Sequence, residues 1–291
     1  MLGIIYGLLC AASWAIGSIS MRDLARKLDP FTLNAPRSAI GALSLILIAA
    51  LTKRTASYVG IQPSQWALLV GSMLVGGFLG DSVYVLSIAR IGVSRSFPIA
   101  STYPALTLVL ALLLYHQPLT WPLVAGMLLA MLGVIAISRG RAPTSEIPTA
   151  QAKTSGILFA LAASVLWAVS TTMLEPGLRG LDEIAAAAIR LPVLSLALWL
   201  VVAARGTWRE LTRLDRREWV TLLVGGLIGW GVGSLLFVLT VAQVGSARAA
   251  VLTSTSPLFA LPLSLLFLSE QSDWRVALGT GLTVVGVILV A

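Results

Sequence analysis

At 291 residues, with 57% hydrophobic and only 11% charged side chains, the chain is too apolar for a soluble domain, where about a quarter of residues are charged. Its net charge of +8 does not point to nucleic acid, because the lysines and arginines are spread over short connections and form no contiguous basic face. One cysteine, Cys10, excludes an internal disulfide and a thiolate metal cluster, and the single histidine, His116, reads as an interfacial residue. Hydropathy then divides the chain into ten apolar blocks: 3–21, 31–51, 66–89, 96–115, 120–138, 155–174, 184–204, 219–242, 247–268 and 274–290. Each is about 18 to 24 residues long, roughly what a helix needs to cross the hydrocarbon core of a bilayer. The first lacks a basic n-region and nine more follow, so it reads as a retained helix and not a cleaved signal.

The stretch 92–104, GVSRSFPIASTYP, returns at 245–257 as GSARAAVLTSTSP, with Gly, Arg, Ser-Thr and Pro in register. Residues n and n+153 align without a gap from Gly3 to Ile137, and about a quarter of positions are identical. Trp14 meets Trp167, Asp29 meets Asp182, Arg37 meets Arg190, and Trp66 meets Trp219. Paired Trp, Arg and Pro at one offset are hard to obtain from shared hydrophobicity, so the chain is a duplication: repeats over 1–138 and 154–291, joined by a polar linker over 139–153.

Five spans is an odd number, so the second repeat enters the membrane from the opposite side. Loop charge agrees: about fourteen basic residues, among them Arg22, Arg26, Lys27, Arg90, Arg95 and Arg205, fall on one side and about four on the other. The richer side is expected to be cytoplasmic and both termini outside. Inverted repeats of this kind are a recurrent transporter design, with substrate held near the midplane between them. Connection 7–8, 205–218, mixes charges and reads as a short amphipathic surface helix or a solvated loop.

With ten spans in two halves, a Trp in spans 1 and 6, and the block GVSRSFPIASTYPALTLVLALLLYHQPLTWPLVAGMLLAMLGVIAIS, the chain resembles the drug/metabolite transporter superfamily, specifically its EamA-type members. That block and its echo are similar to the last two helices of small multidrug resistance proteins. The resemblance implies that spans 1–4 and 6–9 line a central cavity, with spans 5 and 10 supporting it from outside. It leaves substrate open, because the family includes exporters of amino acids, drugs and other metabolites. The coupling glutamate of small multidrug resistance proteins falls on Trp14 and Trp167 when aligned on Ala-Ile-Gly-Ser, so that mechanism is not carried over. Family members are commonly drawn with cytoplasmic termini, and the loop charges here oppose that.

Asp81 is the acidic residue set well inside a span, where a carboxylate costs about 2.5 to 3.5 kcal/mol even on insertion scales. It reads either as a proton-coupling or cation site, with Tyr84 one turn away, or as a structural hydrogen bond between helices. Its repeat partner is Ser234, so a coupling role would break the internal symmetry. Arg37 and Arg190 lie about a turn and a half into their spans, placed either to hold a substrate carboxylate with two hydrogen bonds or to snorkel to the interface. In Ser101-Thr102-Tyr103-Pro104 and Ser254-Thr255-Ser256-Pro257 the proline frees a backbone carbonyl, which the hydroxyls can satisfy or leave to a substrate. Pro104 and Pro257 are candidate hinges. Trp14, Trp167 and Tyr103 are candidate cavity walls, or core and lipid-facing aromatics. Gly126, Gly133, Gly279, Gly281 and Gly286 read as close-packing positions.

The chain carries no phosphate-binding loop, metal-ligand set or nucleophile–base pair, so an enzyme, a resident cofactor and a metal are not expected. The expectation is an all-α integral membrane protein of ten transmembrane helices in two inverted five-helix repeats, in a bacterial-type inner membrane, monomeric or weakly dimeric. Its function is expected to be secondary export of small metabolites such as amino acids, with proton-linked movement through Asp81 as one option. A multidrug or cation exporter and a lipid-carrier flippase on the same fold are the alternatives.

Overall fold

The computed structural model describes residues 1–20, 24, 27–91, 93–116, 119–139, 150–260 and 274–290. Arg22, Arg26, the linker residues 140–149 including Arg141, the end of the ninth predicted span, and the Arg95 side chain lie outside the described residues. The described residues form helices joined by short turns, with no strand among them.

The ten expected helices are α1 (Leu2–Ser20), α2 (Pro30–Leu51), α3 (Pro63–Ile91), α4 (Val93–Ala100 and Tyr103–Tyr115), α5 (Trp121–Arg139), α6 (Ala150–Gly177), α7 (Glu183–Arg205), α8 (216–244), α9 (246–260) and α10 (Trp274–Val290). Five stretches are long and apolar enough to cross a membrane, and shorter apolar helices accompany them. The protein is thus a multi-pass membrane protein built from two inverted five-helix repeats. Connection 7–8 holds a one-turn helix, Trp208–Leu211.

Local chemistry explains the boundaries. Asp29 and its repeat partner Asp182 are both N-caps: Asp29 accepts from the Phe31 and Thr32 amides at the start of α2, and Asp182 accepts from the Ala185 amide at the start of α7. A carboxylate there satisfies amide groups that the helix cannot. Gly206 closes α7 in the left-handed region at φ 70°. Gly245, at φ 80° and ψ 168°, ends α8 and lets the chain reverse directly into α9. The carboxylate of Glu175 then accepts from the Ser246 amide at 2.8 Å, capping α9 from a neighbouring helix.

The two repeats are interlocked. In the first repeat α1 packs on α8 of the second, and α6 of the second packs on α3 of the first. The same pairs recur at the offset of 153. Trp14 stacks on Phe237 at 5.6 Å between ring centroids, and Trp167 stacks on Tyr84 at 5.1 Å. A Cβ at Gly233 would sit 2.7 Å from Trp14, and one at Gly80 would sit 2.8 Å from Trp167. Helices α2 and α7 pack beside the internal two-fold. The main core lies between them and their neighbours, around Leu45, Leu69, Leu174, Leu191 and Val238.

Helices α5 and α10 pack on each other outside this arrangement. Gly126 meets the Gly286 carbonyl and Gly133 meets the Gly279 carbonyl so closely that an added Cβ would lie 2.6 and 2.5 Å from those oxygens. Small residues that let backbones touch are how helices associate in lipid. Gly281 does not belong to this set, because a Cβ there would meet nothing within 4 Å.

Candidate functional site

A cavity of about 450 Å³ lies between the repeats, within the size range of small-molecule sites. Four local irregularities shape it. Helices α3 and α8 each pass through a π-helical segment, Leu74–Gly80 and Gly225–Val232, in their Gly-rich middles. The wider π turn displaces the side chains that follow it, and such segments are frequent at functional sites. Helices α4 and α9 both break at the Ser-Thr pair, residues 101–102 and 254–255. The Pro257 ring removes the amide that would bond the Thr253 carbonyl, and the Ser256 hydroxyl donates to that carbonyl at 3.1 Å instead.

Most sequence-predicted residues converge on this cavity. Trp14, Arg37, Asp81 and Tyr84 line it, as do Ser101, Tyr103 and Trp167, and from the second repeat Arg190, Ser254 and Ser256. Thr102 and Thr255 do not. The Thr102 hydroxyl donates to the Ile99 carbonyl and pairs with Ser164 at 3.0 Å on α6, while fully buried Thr255 donates to the Leu252 carbonyl at 2.6 Å. Neither Pro104 nor Pro257 lines it; each stands just beyond its break.

Asp81 accepts a hydrogen bond from the Trp167 indole at 2.8 Å, a bond that Gly80 permits by leaving room for the ring. The two readings of Asp81 therefore meet in one residue: it lines the cavity and it joins α3 to α6. Tyr103 donates to the Ala250 carbonyl at 2.9 Å, and its ring stands edge-on to Trp167 at 5.9 Å. Arg37 donates to Asn34 Oδ1 at 2.8 Å and to the Gly17 carbonyl at 3.4 Å, and its Nε is buried without a partner. Arg190, 3% exposed, donates from Nε to the Ser72 hydroxyl at 3.1 Å and lies 5.8 Å from the Phe237 ring centroid.

Other lining residues escaped the sequence reading: Ser18, Asn34, Phe97, Ser170, Trp230 and Phe237. Asn34 was findable, since it precedes Arg37 by one helical turn and shares its face. Phe237 was findable as the repeat partner of Tyr84, whereas Ser170, whose partner is Gly17, carried no signal and becomes a wall only through contacts between the repeats.

The cavity is not symmetric. Ser18, Asn34, Arg37, Val85 and Phe97 line it with part or most of their surface exposed. Their partners at n+153, Thr171, Ala187, Arg190, Val238 and Ala250, are all buried to 4% exposure or less, with Ala187, Val238 and Ala250 at zero. The exposed five sit toward the ends of α1 to α4 that share a side with connections 1–2 and 3–4. At these pairs the more accessible member therefore lies on the side of connections 1–2 and 3–4, the side richer in basic residues.

The sequence profile of the EamA-like transporter family matches residues 1–139 and again 154–291. The chain belongs to the EamA-like transporter family. Among curated proteins it is 27% identical over 289 residues to an uncharacterized transporter of Archaeoglobus fulgidus, covering 99% of this chain and 98% of that one. A second relative, the uncharacterized transporter YvbV of Bacillus subtilis, is 25% identical over 138 residues, 47% of this chain and 45% of that one. A crystal structure sharing 18% sequence identity superposes with a TM-score of 0.79 over 99% of this chain and 95% of that one, which concerns the fold alone. The family, and the repeat it matches twice, agree with a transporter in the drug/metabolite superfamily.

Proposed function

We propose that this EamA-like transporter exports small metabolites, amino acids or related compounds, by alternating access in a bacterial-type inner membrane. The observation that carries the reading is the cavity between inverted repeats, at least partly exposed at five positions of one repeat whose equivalents in the other are buried. An internally duplicated protein caught in one asymmetric arrangement can adopt the mirror arrangement by exchanging the conformations of its halves. The helix breaks before Pro104 and Pro257 supply the hinges, and both lie where the α4 and α9 walls meet the cavity.

Substrate contacts in this reading are made by Trp14, Arg37, Tyr84, Ser101, Tyr103, Trp167, Arg190, Ser254 and Ser256, with Thr102 and Thr255 holding the breaks in shape. By loop charge the more accessible side is cytoplasmic and the termini are outside, so the present arrangement is the loading one. Asp81 is the coupling group. Ionised, it holds Trp167 through a charge-assisted hydrogen bond; protonated from the far side, it holds the ring less tightly and lets α3 and α6 part. The protein works as a monomer or weak homodimer surrounded by lipid.

The test is uptake by proteoliposomes containing purified protein, with and without an imposed pH gradient. Asp81→Asn is expected to abolish gradient-driven accumulation and keep gradient-free exchange. An unchanged response of Asp81→Asn to the gradient would remove the proton link.

A further inference from the structure

The cavity has more positive charge than it can neutralise. Two arginines and one carboxylate line it, leaving a formal excess of one positive charge while Asp81 is ionised. That carboxylate is engaged by Trp167 at 2.8 Å. Among the described residues the ion pairs are Lys27–Glu218, Arg54–Asp182 and Arg205–Asp29, and none involves Arg37 or Arg190. Both guanidiniums rest on neutral groups, Arg37 on an amide and a distant carbonyl, Arg190 on a hydroxyl and the face of a ring. The Arg37 Nε is buried with no acceptor at all.

Unpaired guanidiniums at membrane depth are costly and face a wet cavity or a counter-ion. Among the described residues neither forms an ion pair: Asp81 acts on Arg37 only at longer range, across the cavity and already bonded to Trp167, and Arg190 has no carboxylate acting on it. A planar anion from solution fits them, since the guanidinium fork matches a carboxylate with two parallel hydrogen bonds. The remaining walls near the arginines, Trp14, Trp167, Trp230 and Phe237, are apolar and suit the body of a small amphipathic molecule.

Resting on the transport reading above, we infer that the substrate carries a carboxylate, and that Arg37 and Arg190 hold it in turn, one in each arrangement of the repeats. Arg37 faces the more accessible side in company with Asn34, and is the loading partner. Arg190, at the equivalent position of the inverted repeat, reaches the cavity wall but is buried at 3% exposure, and becomes the release partner when the exposures exchange. The two residues are thus one anion site seen from either membrane face. Asn34 aligns with Ala187, so the loading site has an amide that the release site lacks and holds the anion more tightly.

The experiment has two arms on the full-length protein. In detergent, thermal stabilisation is measured with the twenty amino acids and with acetate, phenylacetate and succinate, each against its amide at equal ionic strength. Carboxylates are expected to stabilise at concentrations at least about tenfold lower than their amides. Arg37→Gln is expected to erase that difference, Arg37→Lys to restore part of it, and Arg190→Gln, whose guanidinium is only 3% exposed, to reduce it less than Arg37→Gln does. Equal stabilisation by acids and amides, or a preference that survives Arg37→Gln, overturns the inference. In proteoliposomes, counterflow of a stabilising carboxylate is expected to be lost in Arg190→Gln although binding persists; retained counterflow there overturns the release role. If carboxylates stabilise but none moves, the transport reading fails while the anion site stands.

Discussion

At the α5–α10 joint the two repeats meet as equals, whereas around the cavity equivalent residues stand in unequal surroundings. Gly126 and Gly286 each place the other's carbonyl 2.6 Å from where a Cβ would be, and Gly133 and Gly279 do the same at 2.5 and 2.6 Å. In the cavity Arg37 is partly buried and Arg190 buried at 3% exposure, and Val85 lines the space partly exposed where Val238 is fully buried. A joint that keeps the internal two-fold has the same geometry in either arrangement of the repeats and can stay closed throughout. A region that breaks it is where the arrangements differ, and the sequence difference between Asp81 and Ser234 falls there.

The largest effect is expected from attacking the symmetric joint. Gly133→Val forces side-chain atoms against the Gly279 carbonyl and should lower stability by about 1 to 3 kcal/mol, read as a drop in melting temperature in detergent. Gly281→Val, with open space around it, should stay within about 0.5 kcal/mol and serves as the control. Equal effects would mean that the joint is not held by backbone contact.

Next in size is the asymmetry of the two tryptophans. Trp167→Phe removes the indole donor from Asp81 and should cost about 1 to 3 kcal/mol, because a buried acceptor loses its partner. Trp14 packs on Phe237 in the same way but donates to no described residue, so Trp14→Phe should cost less than about 1 kcal/mol. Chemical denaturation of both variants in one detergent checks the ranking. Matching losses would place the stabilisation in ring packing and not in the Asp81 bond.

The smallest effects return to symmetric features at the surface. Asp29→Ala and Asp182→Ala each remove a cap and should cost about 0.5 to 2 kcal/mol, with Asp29 the larger because it accepts from two amides where Asp182 accepts from one. Lys27→Ala opens the exposed pair with Glu218 and should change stability by less than about 1 kcal/mol, and less again at high salt.

Much of the fold could be read in advance because membrane solvation leaves few options: apolar length sets the spans, the offset of 153 shows the duplication, and five spans per copy make it an inverted one. The Ser-Thr-Pro breaks were visible too, since proline interrupts a helix wherever it falls within one. The helical phase inside those motifs was not. Thr102 and Thr255 point about a quarter-turn away from the cavity and bond the backbone of their own helices, while Ser101 and Ser254 face the cavity. The π segments were hidden because hydropathy reads Gly-rich stretches as ordinary helix. Ser170 was hidden because its repeat partner is Gly17, and only the packing of α6 on α3 carries it to the Ser72 carbonyl at 2.6 Å. The unequal exposure of Arg37 and Arg190 lies beyond sequence altogether: one residue type at one repeat position has two environments because the halves hold different conformations.

Alternation between the halves is tested most directly at Val85 and Val238, repeat partners with opposite exposure. In a Cys10→Ala background, Val85→Cys and Val238→Cys would be labelled with a membrane-impermeant maleimide added to both sides of proteoliposomes, at rest and during turnover. Reciprocal change is predicted: position 85 reacts at rest and becomes protected during turnover, while position 238 is protected at rest and becomes reactive. Changes in the same direction at both positions, or none at either, would contradict exchange between the inverted repeats.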